Sequence, residues 1–155
     1  AQGLEVATDE PGELFVRGPY AFAGYWNAPQ ATADALVDGW VTVGDMATRD
    51  ADGFVTIVDR KTDMVVTGGV NVFPREVEQV LAAVPGVMEV AVVGLPDPEW
   101  GERLQAFVVG GAEPAALAAA ARASLAPHKV PKGFSFLTEL PRGPTGKVLK
   151  RALRV

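Results

Sequence analysis

Apolar and polar residues alternate through several short runs of this chain. GELFVRG (residues 12–18) reads as a short strand entered through Pro11-Gly12. QATADAL (30–36) has helical character instead, and Asn27, ahead of Pro29, is placed to cap it. GWVTVGDMATRD (39–50) and GFVTIVDR (53–60) return to alternation, and Asp50-Ala51-Asp52-Gly53 joins them as a tight turn, so the pair is a predicted hairpin. TDMVVTGG (62–69) is a third strand, closed by two glycines.

The period then changes. In VNVFPREVEQVLAAVPGV (70–87), Pro74 suits a first helical turn, and Val77, Val80, Leu81 and Val84 share one face before Pro85-Gly86 ends the helix. MEVAVVGL (88–95) and ERLQAFVVG (102–110) read as strands, residues 114–125 as an alanine-rich helix, and KGFSFLTEL (132–140) as a last short strand. Helices packed on a sheet of about three strands make a small α+β domain. A β-rich piece covering 1–60 precedes it, and the domain itself covers 61–155.

Composition changes this picture little. The 155 residues are 48% apolar and 21% charged, ordinary for a globular protein. No cysteine is present and His128 is the single histidine, so disulfides, thiolate sites and histidine clusters are excluded. No apolar run approaches a membrane span and no signal-peptide pattern opens the chain, so a cytoplasmic setting is expected.

Charge adds an asymmetry. Residues 1–60 hold three basic and ten acidic groups, whereas 129–154 hold seven basic groups and one acid, Glu139. Such a tail suits an anionic ligand. Nucleic acid is disfavoured, because few aromatics interleave with the basic residues and no recognition helix is evident.

The tail ends in LPRGPTGKVLKRAL (140–153). This is not a phosphate-cradling P-loop: position 141 is Pro141, not glycine, and Val148 follows Lys147 where Ser or Thr is needed. Two readings of the segment stand side by side. In one, Thr145 caps a short helix whose Leu149 and Leu153 face inward, and Lys147, Lys150, Arg151 and Arg154 are solvated charges. In the other, Lys147 is a working cation presented by a glycine turn.

Four segments, in order, resemble the adenylate-forming enzymes: acyl-CoA synthetases, luciferases and peptide-synthetase adenylation domains. They are GELFVRGPYAFAGYWNAPQAT, VTVGDMATRDADGFVTIVDRKTDMVVTGG, NVFPREVEQVL and PRGPTGKVLKRAL, and the similarity runs from about Pro11 to Leu153. The resemblance implies a two-step reaction. A carboxylate attacks the α-phosphate of ATP, with Mg²⁺ as companion, giving an acyl-adenylate and pyrophosphate; a thiol, usually coenzyme A, then takes the acyl group and releases AMP. A carboxylic acid and coenzyme A are the implied substrates, and a large N-terminal domain is the implied partner.

The resemblance also assigns residues. Lys147 matches the lysine of the first half-reaction, whose ammonium bridges the attacking carboxylate and a phosphate oxygen. A compact charge on a flexible stem suits that task. Asp45 matches the acid that accepts from the ribose hydroxyls, and Arg60 a second ribose contact; their alternatives are a strand-end acid and an ion pair with Asp59 or Asp63. Thr62 stands at the family's domain hinge, a departure from the usual Asp or Lys, with Asp63 a competing candidate.

Gly68 and Gly69 match the passage of the pantetheine arm, where a missing Cβ lets a ligand approach the backbone, or they form a plain turn. Trp100 matches an aromatic that stacks on the adenine of coenzyme A, or it is a half-buried loop anchor. Glu76 reads as a helix-start acid that favours the helix dipole, and His128 as a surface residue.

The family's phosphate loop, its Thr-Glu pair and its acyl pocket do not occur in this chain. It is therefore expected to be a C-terminal fragment that does not form adenylate alone. A peptide-synthetase adenylation domain is the alternative within the enzymes. A standalone lid and a non-catalytic interaction module are the alternatives outside them. Exposed strand edges also raise the expectation of a dimer.

Overall fold

The computed structural model describes residues 5–154. They divide into two compact units, with the boundary between Thr62 and Asp63.

Unit 1 is a four-stranded antiparallel sheet with one short helix. β1 (Gly12–Val16), β2 (Leu36–Val37) and β4 (Val55–Arg60) all pair with the long central strand β3 (Trp40–Arg49), β1 along one edge, β2 and β4 along the other. The β3–β4 hairpin turns at Asp50, whose carboxylate Oδ1 accepts from the backbone N–H of Asp52 and Phe54 at 3.0 and 2.9 Å. This matches the turn expected from the sequence.

Two details of unit 1 differ from that expectation. Asn27 does not cap helix α1 (Pro29–Ala35); Ala28 occupies the cap position, and Asn27 turns the chain in the left-handed region at φ 50°. Asparagine tolerates that region, and Pro29 fixes the helix start without a cap. Thr32 braces the entry instead, donating to the Ala28 carbonyl at 2.9 Å and accepting from the Tyr25 N–H at 2.9 Å. The second difference is β2, which pairs with β3 through a two-residue Asp38-Gly39 turn whose φ values are 49° and 79°. An Asp-Gly pair at positive φ is what a tight hairpin requires.

Unit 2 is α+β, as expected, but its sheet has five strands. β5 (Val65–Thr67) and β6 (Val70–Val72) form a hairpin about Gly68-Gly69, and β6 is an addition to the strands expected from the sequence. β7 (Val87–Asp97) and β8 (Gly101–Gly110) form a long hairpin, β9 (Gly133–Leu137) lies parallel to β8, and β5 reaches β8 at the Thr67–Gly101 pair.

The alternation of β7 and β8 builds two cores. Val92, Leu104, Ala106 and Val108 face the helices α2 (Pro74–Ala82) and α3 (Pro114–Ser124), where they bury Val77, Leu81 and Leu117. Ala91, Val93, Phe107 and Val109 face the other way, onto Leu140, Val148 and Leu153. The C-terminal segment therefore packs on this second face of the sheet.

Candidate functional site

The lysine segment folds as a miniature hairpin, and the helix predicted from Thr145 is absent. Arg142 pairs with Val148 as an antiparallel bridge, the Gly143 N–H donates to the Lys147 carbonyl at 2.9 Å, and the Gly146 N–H donates to the Gly143 carbonyl at 2.9 Å. Gly146 sits at φ 78°, so the turn needs glycine there. Thr145 is a turn residue. Only Lys150–Leu153 winds, as a single 3-10 turn that buries Leu153. Gly146 is a poor helix former and is taken up by the turn at positive φ, which is why the Leu149–Leu153 spacing misleads.

Leu140, Val148 and Leu153 root this hairpin on the sheet, while Lys147 is exposed near its tip. Among the described residues no ion pair holds its ammonium. Of the other cations called solvated from sequence, Arg151 is exposed. Lys150 is instead largely buried beside Glu78, with Nζ–Oε1 at 2.7 Å, and Arg154 lies 3.8 Å from Asp63.

Asp45 and Arg60 face each other across the β3–β4 register. Arg60 Nε lies 2.8 Å from Asp45 Oδ1, and its Nη1 donates to the Val43 carbonyl at 3.0 Å. The partner of this guanidinium is thus Asp45, not Asp59 or Asp63 as the ion-pair alternative had it; Asp59 accepts the Arg60 backbone N–H at 2.8 Å. Asp45 is mostly covered and Arg60 half-exposed, so the pair forms a polar ledge open on one side. Gly44, at φ 77°, turns the strand beside it and donates its N–H to Thr42 Oγ1 at 3.0 Å. Thr42 donates in turn to Glu13, which holds Lys61 at 2.6 Å.

Thr62 is exposed and ends unit 1, while Asp63 belongs to unit 2. Gly68 and Trp100 are in direct contact. A Cβ on Gly68 would stand 2.8 Å from Cε3 of the Trp100 ring, and the Gly68 N–H donates to the Trp100 carbonyl at 2.9 Å. Trp100 is held in a three-residue hairpin turn by Asp97, whose Oδ1 accepts the N–H of Glu99 and Trp100 at 3.0 Å each, and the residue stays 44% exposed. Lys132 Nζ lies 5.8 Å from the ring centroid, a cation–π contact. Gly69 has open space around it. This is a half-exposed aromatic ring beside a bare glycine turn, with a cation over it.

The structure thus joins Asp45 to Arg60 and Gly68 to Trp100, and places Lys147 on a hairpin of its own. Glu76 starts α2 and also pairs with Lys129 at 2.7 Å; His128 is exposed. Among the described residues no three His, Asp or Glu side chains converge where a metal ion would be held.

Sequence reasoning missed Glu78, Glu102 and Asp97. Glu102 Oε2 accepts the Val66 N–H at 2.9 Å, supplementing the single β5–β8 backbone pair. Asp97 was legible as an acid two to three residues before the N–H groups it caps, an Asx turn. Glu78 and Glu102 act across the fold and leave no local signal.

Residues 76–147 match the family model of the AMP-binding enzyme C-terminal domain. This segment is an AMP-binding enzyme C-terminal domain. A long-chain-fatty-acid–CoA ligase from Yersinia pestis is 47% identical over 98% of the chain, which spans 28% of that relative. A feruloyl-CoA synthase from Amycolatopsis is 46% identical, again over 98% of the chain and 32% of the relative. The structure of o-succinylbenzoate CoA synthetase from Bacillus subtilis with its acyl-adenylate intermediate is 33% identical, with a TM-score of 0.95, over all of this chain and 32% of that one. The chain therefore spans under a third of the length of these relatives.

Proposed function

We propose that this chain is the C-terminal part of an acid–thiol ligase that uses ATP to form an acyl-adenylate and then transfers the acyl group to coenzyme A. The observation that carries the reading is Lys147: an exposed ammonium near the tip of a hairpin whose base is buried in the core of unit 2. A carboxylate and a phosphate repel one another as they approach. A lysine delivered between them offsets that repulsion where charge develops, the kind of effect that dominates such transfers.

The remaining residues take complementary roles. The Asp45 carboxylate accepts from ribose hydroxyls, and Arg60, already oriented by Asp45, donates beside it. Trp100 offers a stacking face for an adenine, and Gly68-Gly69 lets a pantetheine chain lie against the backbone. Thr62 is the pivot, because the boundary between the two compact units follows it. Asp63, the rival, is held toward unit 2 by Arg154.

Residues 1–60 belong, in this reading, to the large domain, and 61–155 form its mobile lid. Tyr20, Trp26 and Phe54 support this; they are 99%, 92% and 72% exposed, an arrangement expected of a surface that meets further protein. The phosphate loop, Mg²⁺ ligands and acyl pocket then lie in that domain, and this chain alone is inactive. The acid stays open, since a fatty-acid ligase and a feruloyl-CoA synthase match this chain almost equally. The reaction is placed in the cytoplasm, where ATP and coenzyme A are supplied.

The test is acid-dependent ATP–pyrophosphate exchange by the protein as its gene encodes it, across aliphatic and aromatic carboxylic acids, followed by thioester formation with coenzyme A. Exchange with at least one acid and transfer to coenzyme A are expected. No exchange with any acid in either class would contradict the ligase reading. Exchange without transfer to coenzyme A would move it to another acyl acceptor.

A further inference from the structure

Lys147 is bracketed in sequence by two cations that are each tied to a carboxylate, Arg142 at the surface and Lys150 under cover. Five residues before it, Arg142 donates through Nη2 to Glu89 Oε1 on β7 at 2.5 Å and through Nη1 to the Gly146 carbonyl at 2.7 Å. Arg142 therefore ties the turn itself to the strand edge. Three residues after it, Lys150 Nζ meets Glu78 Oε1 on α2 at 2.7 Å, with side chains only 15% and 20% exposed. The same Glu78 oxygen accepts the Val92 N–H of β7 at 2.8 Å. One carboxylate so joins helix, strand edge and lysine segment.

Apolar packing does not fix the hairpin alone. An open groove of about 340 Å³ runs between α2, the β7 edge and the hairpin, lined by Arg75, Glu78, Glu89, Leu140, Arg142 and Val148. On that side the two charge pairs tie the hairpin to β7 and α2. The covered Lys150–Glu78 pair has less freedom than an exposed one, and Arg142, whose two nitrogens reach Glu89 and the Gly146 carbonyl separately, fixes direction as well as distance.

We propose that Arg142 and Lys150, with their partners Glu89 and Glu78, are positioning residues that set the reach and direction of Lys147. This rests on the reading that Lys147 serves adenylation. They touch no reacting atom; they act through the hairpin. A displacement of the order of 1 Å in a catalytic group costs up to about 100-fold in rate.

The experiment compares K147A, K150M, K150R, E78Q and R142M in the protein as its gene encodes it. Two half-reactions are read: acid-dependent pyrophosphate exchange, and thioester formation from supplied acyl-adenylate. K150M, E78Q and R142M are expected to lower kcat for exchange by about 10- to 100-fold with KM for ATP and acid within about twofold. Thioester formation should be retained, which shows the lid is folded, and K150R should recover most of the rate.

E78Q is the sharpest variant, since the amide oxygen still accepts the Val92 N–H and only the charge pair is lost. If K147A abolishes exchange while K150M, E78Q and R142M stay within twofold of the parent, the positioning proposal is wrong and the role of Lys147 stands. If K147A leaves exchange intact, both fall. Equal loss of both half-reactions in K150M and E78Q, unrestored by K150R, would mark a folding role and overturn the proposal.

Discussion

Replacing Gly68 with alanine perturbs two things at once, and its neighbour provides the control. Gly68 has φ 56°, where an L-residue pays about 1–2 kcal/mol. Its new Cβ would also stand 2.8 Å from Trp100 Cε3, so the ring must retreat by about 0.7 Å to reach ordinary carbon contact. Retreat is resisted by the Asp97 bonds to the Trp100 turn and by the Gly68–Trp100 backbone bond. Overpacking of this kind adds about 1–3 kcal/mol. Gly69 has φ 79° but nothing within 4 Å, so G69A should carry the backbone cost alone.

The expected difference between G68A and G69A is therefore about 1–3 kcal/mol, read from urea midpoints at unchanged m. In a Trp100→Ala background that difference should collapse to within about 0.5 kcal/mol, because the obstructing ring is gone. If G68A and G69A are equally destabilised with Trp100 present, the contact does not carry the cost and the argument fails.

Other expectations follow from the same geometry. Asp45→Asn should raise KM for ATP about tenfold, while stability moves by less than about 1 kcal/mol, because the Arg60 pair is half-exposed; loss of stability with unchanged KM would make Asp45 structural. Leu81→Ala, in the fully buried core under α2, should cost about 2–5 kcal/mol by urea unfolding, and a cost under 1 kcal/mol would contradict the packing described. Leu153→Ala should loosen the lysine hairpin, raising amide hydrogen exchange at Gly143 and Gly146 more than at Val92; uniform exchange would show that Leu153 does not root it.

The elements with strong periods were legible in the chain. The β3–β4 hairpin announced itself through Asp50 and Gly53, and α2 through Pro74 and the Val77–Leu81 spacing. β6 was not, since three residues beside Pro74 are too few to show alternation against a following helix. The parallel pairing of β9 with β8 is a long-range choice that no local residue encodes. At the C-terminus the i,i+4 leucines suggested a helix, but the hairpin that Gly146 closes takes the place of its first turn.

Site residues were legible as residue types, because a carboxylate, a guanidinium and a glycine pair advertise their chemistry. Their supports were not. Glu78 and Lys150 are ordinary surface charges until tertiary packing covers them, and the Asp45–Arg60 contact depends on a register shift between Met46 and Ala47 that shows only in the paired strands.

The most direct test of the whole account is Lys147→Ala in the protein as its gene encodes it, with the two half-reactions measured separately. The account predicts loss of acid-dependent pyrophosphate exchange by at least about 100-fold. Thioester formation from supplied acyl-adenylate should stay within a few-fold of the parent. Unchanged exchange, or equal loss of both half-reactions, would contradict it.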